Sequence, residues 1–237
     1  MNKYSNLLSD EAKNQGIELT NRQIDQFNLY YELLVEKNKV MNLTAITEYS
    51  DVVRKHFVDS MMIYRSLDMY KIGSLCDVGT GAGFPGIPLK ITYPHLHLTL
   101  VDSVGKRVAF LADVVEKLEL ENVETIHSRT EDLACNPKYR EKYDLVTARA
   151  VASMNVLSEY CIPYVKIDGY FAAYKSGNIM EELENAQNAI KILGGNVEKT
   201  DLFELYEMGR SVVLVKKVKH TPKIYPRKAG TPTKNPL

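Results

Sequence analysis

The sequence predicts an α/β fold: a seven-stranded mixed sheet with a helical extension before it and a basic tail after it. Three observations predict it. Apolar β-rich runs begin near residue 74 and alternate with amphipathic helices, as parallel strands joined by crossovers require. The first run ends at Asp77 in a cluster of glycines within Cys76 to Pro88, ahead of an apolar segment carrying Ile87, Leu89 and Ile91. The last two β-rich runs are joined only by Glu207, Met208 and Gly209, a hairpin that makes one strand antiparallel.

The elements follow in order. Residues 1–70 read as a helical extension. Thr20 and Gln23 form a capping box, and Ile24, Phe27, Tyr31 and Leu34 recur at helical spacing behind it. A second helical stretch, about 50–67, carries Arg54, Lys55, His56 and Asp59. Residues 71–219 hold the sheet. Its strands are placed at Ser74–Val78, His97–Val101, Val123–His127, Tyr143–Thr147 and Tyr170–Tyr174, with the hairpin runs at 197–206 and 211–218. Between them, one helix packs on Val104, Val108, Leu111, Val115 and Leu118, and another spans about 154–164. A third begins near Asn178, buries Leu183, Ala186, Ile190 and Leu193, and stops at Gly194 and Gly195. Residues 220–237 form a basic tail whose prolines 222, 226, 232 and 236 forbid a regular helix or central strand.

Composition narrows the function. The chain has 237 residues, 45% hydrophobic and 25% charged, as in ordinary globular proteins. Formal net charge is zero, so no overall field marks a nucleic-acid partner. From Lys216 to the end, however, there are only basic charges: Lys216, Lys217, Lys219, Lys223, Arg227, Lys228 and Lys234. Cys76, Cys135 and Cys161 lack metal-ligand spacing, and free thiols with no metal site are expected. No apolar run is long enough to span a membrane and no signal-peptide core is visible, so a cytoplasmic protein is expected.

The glycine loop carries the chemistry. Gly81-Ala-Gly83-Phe-Pro-Gly86 matches the dinucleotide fingerprint, and Asp102 ends the second strand where a ribose-binding acid would stand. NAD therefore has to be weighed. Against it, Asp77 places a carboxylate at the mouth of the loop, where it would repel a pyrophosphate and suit an ammonium or sulfonium group. Asp77-Val-Gly79-Thr-Gly81-Ala-Gly83 is the first motif of a class I methyltransferase (Rossmann-like) fold, and S-adenosyl-L-methionine is the expected cofactor. Asp102 would accept from both ribose hydroxyls, unless it caps the next helix, for which Ser103 is also available. An acid just past the third strand, in Thr130-Glu131-Asp132, would reach the adenine amino group; a capping role fits the same residues.

The acceptor would meet the methyl group above the end of strand 4, at Thr147-Ala-Arg149-Ala-Val-Ala152. No NPPY-like segment, no Pro-Cys nucleophile and no Lys/Asp/Lys/Glu set is present, which argues against amine, pyrimidine C5 and ribose acceptors. Arg149 stands there instead. This favours an acceptor with a ready lone pair, such as guanine N7, for which in-line placement matters more than a base. Arg149 and Lys175 are the candidate catalytic or substrate-positioning residues, with a salt bridge beside the cofactor and a solvated lysine as the alternatives.

These segments together resemble the RsmG (GidB) family. The resemblance covers nearly the whole chain: Asn42-Leu-Thr-Ala-Ile-Thr47, His56-Phe57 with Asp59-Ser60, the Asp77–Gly86 loop, Ser128-Arg129 with Glu131, Thr147–Ala152, and Tyr225-Pro-Arg-Lys-Ala-Gly-Thr-Pro232. It implies methyl transfer to N7 of a guanine in 16S ribosomal RNA, with Gly79, Gly81, Phe84, Asp102, Thr130, Glu131 and Arg149 at S-adenosylmethionine. Arg129, Lys175, Tyr225, Arg227 and Lys228 are then the expected RNA contacts, on naked 16S RNA or an assembling small subunit, by a monomer; Arg54 and Lys55 read first as a solvated face, with RNA as the alternative. The alternatives are a class I methyltransferase for a small molecule or protein, and a nucleotide-binding regulator or dehydrogenase.

Overall fold

The computed structural model describes Tyr4, residues 6–149 and residues 152–237. Ala150 and Val151, in the segment expected above strand 4, lie outside the described residues. The extension contributes α1 (Leu7–Asn14), α2 (Asn21–Met41) and a helical segment α3 (49–65). Thr20 caps α2 with the reciprocal bonds of a capping box: its hydroxyl accepts from the Gln23 amide while its own amide donates to Gln23 Oε1. Within α3 the backbone widens to a π-helical turn at Val53–Val58 and narrows to 3₁₀ at Met62–Arg65. The π turn holds Arg54, Lys55 and His56; such bulges re-aim side chains.

The sheet contains β1 (Ser74–Val78), β2 (His97–Asp102), β3 (Val123–His127), β4 (Tyr143–Arg149), β5 (Val165–Ser176), β6 (Gly195–Leu205) and β7 (Met208–Lys217) in the order 3-2-1-4-5-7-6. β1 to β5 are parallel, and β7 runs antiparallel to both β5 and β6. The crossovers carry α4 (Gly86–Thr92), α5 (Gly105–Lys117), α6 (Thr130–Leu133), α7 (Met154–Cys161) and α8 (Met180–Ile192). β5 starts five residues before the expected Tyr170: Val165 already pairs with Tyr143, and the segment up to Gly169, with Asp168 at φ +65°, bulges out before Tyr170 pairs with Leu145.

Strand alternation sends Leu75, Leu98 and Leu100 to one face, where they share a core with Phe27, Tyr30, Leu34, Phe57 and Met61 of the N-terminal helices. Cys76, Val78, Val146, Phe171 and Val213 face the other way, onto Leu157, Cys161, Leu183 and Ile190. The tail is not wholly irregular as expected: one helical turn, α9 (Thr231–Lys234), forms with Pro232 in its first turn, where the missing N–H is harmless. Strand order reverses between β1 and β4, so the crevice of this fold opens at the carboxyl ends of those two strands.

Candidate functional site

The loop after β1 lies in that crevice. The amides of Gly79 and Thr80 donate to Val101 O at 2.9 and 3.2 Å, tying the loop to β2. Gly81, at φ +62°, donates to Asp102 Oδ2 at 2.9 Å, and a Cβ built on it would meet nothing within 4 Å. Gly83, at φ +108°, is packed instead: its Cβ would lie 2.6 Å from Ile87 Cδ1 and 2.7 Å from the Tyr30 hydroxyl. That hydroxyl donates to Ala82 O at 2.6 Å, so α2 braces the loop from behind. The Phe84–Pro85 peptide is cis, and Pro85 stands at the cap position, with α4 beginning at Gly86.

Asp77 corrects an expectation. It does not lie at the mouth of the loop. Strand alternation turns it inward beside its register partner Thr147, and it is fully buried. Its Oδ2 accepts from Gly86 N–H at 2.9 Å and from the Thr80 hydroxyl; its Oδ1 accepts from the Thr147 hydroxyl at 3.0 Å. Burial raises its pKa to about 6 against the pull of those donors. Asp77 therefore shapes the loop rather than facing a ligand.

Asp102 is 3% exposed and points back over the loop. Beside the Gly81 bond, its Oδ1 accepts from Val104 N–H at 2.8 Å, and Arg107 Nη1 lies 3.7 Å from Oδ2. The helix cap itself is Val104, so neither Asp102 nor Ser103 takes that place. Beyond β3, the Thr130 hydroxyl reaches Tyr160 O and the Tyr164 hydroxyl at 3.3 and 3.2 Å. Glu131 is 4% exposed; its Oε1 accepts from Gly230 N–H of the tail at 2.9 Å, and its Oε2 has no hydrogen-bond partner among the described residues.

Arg149 ends β4 and is held from every side. Its Nη1 donates to Asp59 Oδ2 at 2.9 Å, its Nη2 lies 3.3 Å from His56 Nδ1, and its guanidinium carbon sits 5.0 Å from the centre of the Phe84 ring. His56 stacks on the same ring at 4.5 Å. Burial and the adjacent Arg149 charge lower the His56 pKa to about 3, so the imidazole is neutral at pH 7. Asp59 also accepts from Arg210 Nε at 2.7 Å, so one buried carboxylate joins two arginines from β4 and β7. Beside them opens a cleft of about 570 Å³, lined by His56, Asp59, Arg149, Tyr174, Arg210 and Ser211. Ser211 Oγ is the one buried side-chain polar atom without a hydrogen-bond partner among the described residues. The sequence reading assigned no role to Asp59, Arg210 or Ser211. For Asp59 a signal existed, an acid among Phe57, Val58 and Met61 on an apolar helix; for β7 there was none.

Several expected RNA contacts are committed elsewhere. Lys175 donates to Glu182 Oε1 at 2.6 Å and to Ala152 O at 2.7 Å, so it is not a solvated lysine, and it lines the same cleft as Arg149. Arg54 binds Glu11 at 2.7 Å and lies over the Tyr206 ring; Lys55 pairs with Asp51 at 2.9 Å. The tail does have a compensating acid. Glu159 of α7, its side chain 1% exposed, takes the Arg227 guanidinium on both oxygens. Tyr225 is half-buried against the core and gives its carbonyl to Arg140. Arg129 and Lys228 are exposed, with no ion-pair partner among the described residues.

The pieces fit an adenosyl group with a methionine end: an open backbone approach at Gly81, a nearly buried carboxylate at Asp102, and a half-satisfied carboxylate at Glu131. No three His, Cys, Asp or Glu side chains among the described residues converge as metal ligands. No helix among them is long and apolar enough to cross a membrane.

Comparison with known proteins gives the fold and the family. The fold resembles a SAM-dependent methyltransferase from Aquifex aeolicus, with a TM-score of 0.54 at 20% identity over 73% of this chain and 96% of that one. It also resembles a precorrin-6y C5,15-methyltransferase from Geobacter metallireducens, with a TM-score of 0.50 at 16% identity over 67% and 87%. These likenesses establish a class I methyltransferase fold. In sequence, the ribosomal RNA small subunit methyltransferase G of Lachnoclostridium phytofermentans is 50% identical over 224 residues, 94% of this chain and 93% of that protein. The protein of the same name from Bacillus subtilis is 48% identical over 225 residues, 94% of each chain. Residues 23–208 match the GidB family, rRNA small subunit methyltransferase G, and with these relatives the chain belongs to that family.

Proposed function

We propose that the chain transfers a methyl group from S-adenosyl-L-methionine to N7 of a guanine in 16S ribosomal RNA, as a cytoplasmic monomer acting on the RNA or on an assembling small subunit. The observation that carries this reading is the placement of Gly81, Asp102 and Glu131 along the carboxyl ends of β1, β2 and β3, with the Arg149 cluster beside them at the end of β4. When bound, the sulfonium supplies an electrophilic methyl group.

The residues divide the work. Gly79, Gly81 and Phe84 present the loop. Asp102 already accepts two backbone N–H groups at 2.9 and 2.8 Å, which fix its carboxylate in place to accept the ribose hydroxyls. Thr130 and Glu131 bound the adenine end, where the free Glu131 Oε2 suits an exocyclic amine. Arg149, held by Asp59 and stacked on Phe84, fixes the floor between donor and acceptor. Guanine N7 has a lone pair and no proton to lose, so no base is required, in keeping with a neutral His56 and two arginines already bound to a carboxylate. The cleft beside Arg149 is open to a base. Of the expected RNA contacts, Arg129 and Lys228 remain the free cations for phosphate, while the Lys175, Tyr225 and Arg227 side chains are engaged within the fold.

Titration calorimetry with S-adenosylmethionine and with NAD tests the cofactor; NAD binding alone contradicts the reading. Labelled methyl transfer to ribosomal RNA, compared with ribosomal protein and small-molecule fractions, tests the acceptor, and label confined to the other fractions contradicts it.

A further inference from the structure

Four ties hold the tail against the elements that carry the adenine end of the site. Arg227 donates its backbone N–H to Glu159 Oε1 at 2.7 Å and its Nη2 to Glu159 Oε2 at 2.6 Å. Arg140 donates to the carbonyls of Thr221 and Tyr225, both at 2.8 Å. The Tyr160 and Thr233 hydroxyls lie 2.8 Å apart, and Gly230 N–H donates to Glu131 Oε1 at 2.9 Å. Glu159 and Tyr160 belong to the helix whose carbonyl at Tyr160 also accepts from Thr130. A buried, bidentate carboxylate–arginine pair is a strong anchor, because breaking it strands a charge away from water.

The last tie has a chemical consequence. Glu131 is nearly buried, so little water competes for its oxygens. The tail amide takes Oε1, which restrains the carboxylate and leaves Oε2 to receive a further donor. We propose that the tail is a strap over the cofactor site: Arg227 anchors it, and the Gly230 amide orients Glu131 so that the site selects a 6-amino purine. Arg227 and Gly230 are thus positioning residues that act through Glu131. The inference rests on the assignment of the adenine end made above.

The test compares S-adenosylhomocysteine with S-inosylhomocysteine, in which a 6-oxo acceptor replaces the amine donor and meets the Glu131 oxygen unfavourably. By calorimetry the full chain is expected to prefer the adenosyl ligand by about tenfold or more, since a polar mismatch at a buried carboxylate is rejected strongly. In Arg227→Met the preference falls to within about twofold, through loss of adenosyl affinity with inosyl affinity unchanged. A general loosening lowers both affinities and keeps their ratio; that outcome overturns the strap. So does a variant that retains both affinities and loses only RNA binding, which makes the tail an RNA arm. If Arg227→Met does not fold, Gly230→Ala reads the same ratio: its Cβ meets nothing within 4 Å, but φ +82° is unfavourable for alanine and displaces the amide. Failure of the unaltered chain to bind either ligand sinks the cofactor assignment itself, a distinct result.

Discussion

Replacing Gly81 by alanine separates a ligand contact from a folding requirement. At Gly81 the new methyl group meets no protein atom within 4 Å, so the folded state loses only the cost of φ +62°. That cost is about 1 kcal/mol, which in a chain of this size lowers Tm by roughly 2–4 °C. The bond from its amide to Asp102 survives, since alanine keeps the N–H. The methyl group does enter the space assigned to the cofactor, and one unfavourable contact there is expected to weaken S-adenosylmethionine binding about tenfold or more, or ~1.4 kcal/mol. Gly83→Ala is the contrast. Its methyl group lies 2.6 Å from Ile87 Cδ1 and 2.7 Å from the Tyr30 hydroxyl, which forces repacking behind the loop. Overpacking and positive φ together cost about 3 kcal/mol, on the order of 10 °C in Tm. Calorimetry for affinity and differential scanning for Tm read both variants. Unchanged affinity in Gly81→Ala would refute the placement of the ligand over this loop.

Other consequences follow from the same geometry. Asp59→Asn removes the charge that holds Arg149 and Arg210 together; about 3 kcal/mol of stability is expected to go in urea unfolding, and kcat for methyl transfer is expected to fall more than cofactor affinity does. Equal losses in both would count against a positioning role. Asp102→Ala strands the Gly81 and Val104 amides and removes the ribose acceptor, so the cofactor Kd is expected to rise about 100-fold or more, with RNA affinity little changed by filter binding. For His56 the folded pKa is depressed, so the unfolded chain takes up the proton first as pH drops through 6.5, and stability is lost from there down towards pH 3. Asp77, with its raised pKa, acts in the opposite sense between about 3.8 and 6. His56→Gln isolates the first effect: between pH 7 and 5.5 it is expected to lose about 1 kcal/mol less stability than the unaltered chain, allowing for partial solvent screening. Parallel loss in the two proteins would rule out a neutral buried imidazole.

The fold was largely legible because local pattern and global packing agree. The Thr20–Gln23 box, the alternation of Leu75, Cys76, Asp77 and Val78, and the glycines that stop the helix before β6 act within a few residues of themselves. The site was legible where the backbone carries it, at Gly81 and Asp102. It was not legible where a charge is answered from far along the chain. Arg227 looks free until α7 brings Glu159 against it, 68 residues away in sequence. Arg149 reads equally as a substrate-facing cation or a salt bridge until α3 brings Asp59 and His56 against it, His56 from a π turn that no residue pattern announces. Asp77 misled for a simpler reason: an acid at a strand end reads as exposed unless its register partner, Thr147, is known.

The central claim is the acceptor atom. Small-subunit ribosomal RNA from cells lacking this protein would be incubated with the pure chain and S-adenosylmethionine, treated with borohydride and aniline, and mapped by primer extension. N7-methylated guanine is the base this chemistry cleaves. The account predicts one new enzyme-dependent scission at a guanine in that RNA, absent with Asp102→Ala at the same cofactor concentration. Methyl incorporation into the RNA without any such scission would contradict it.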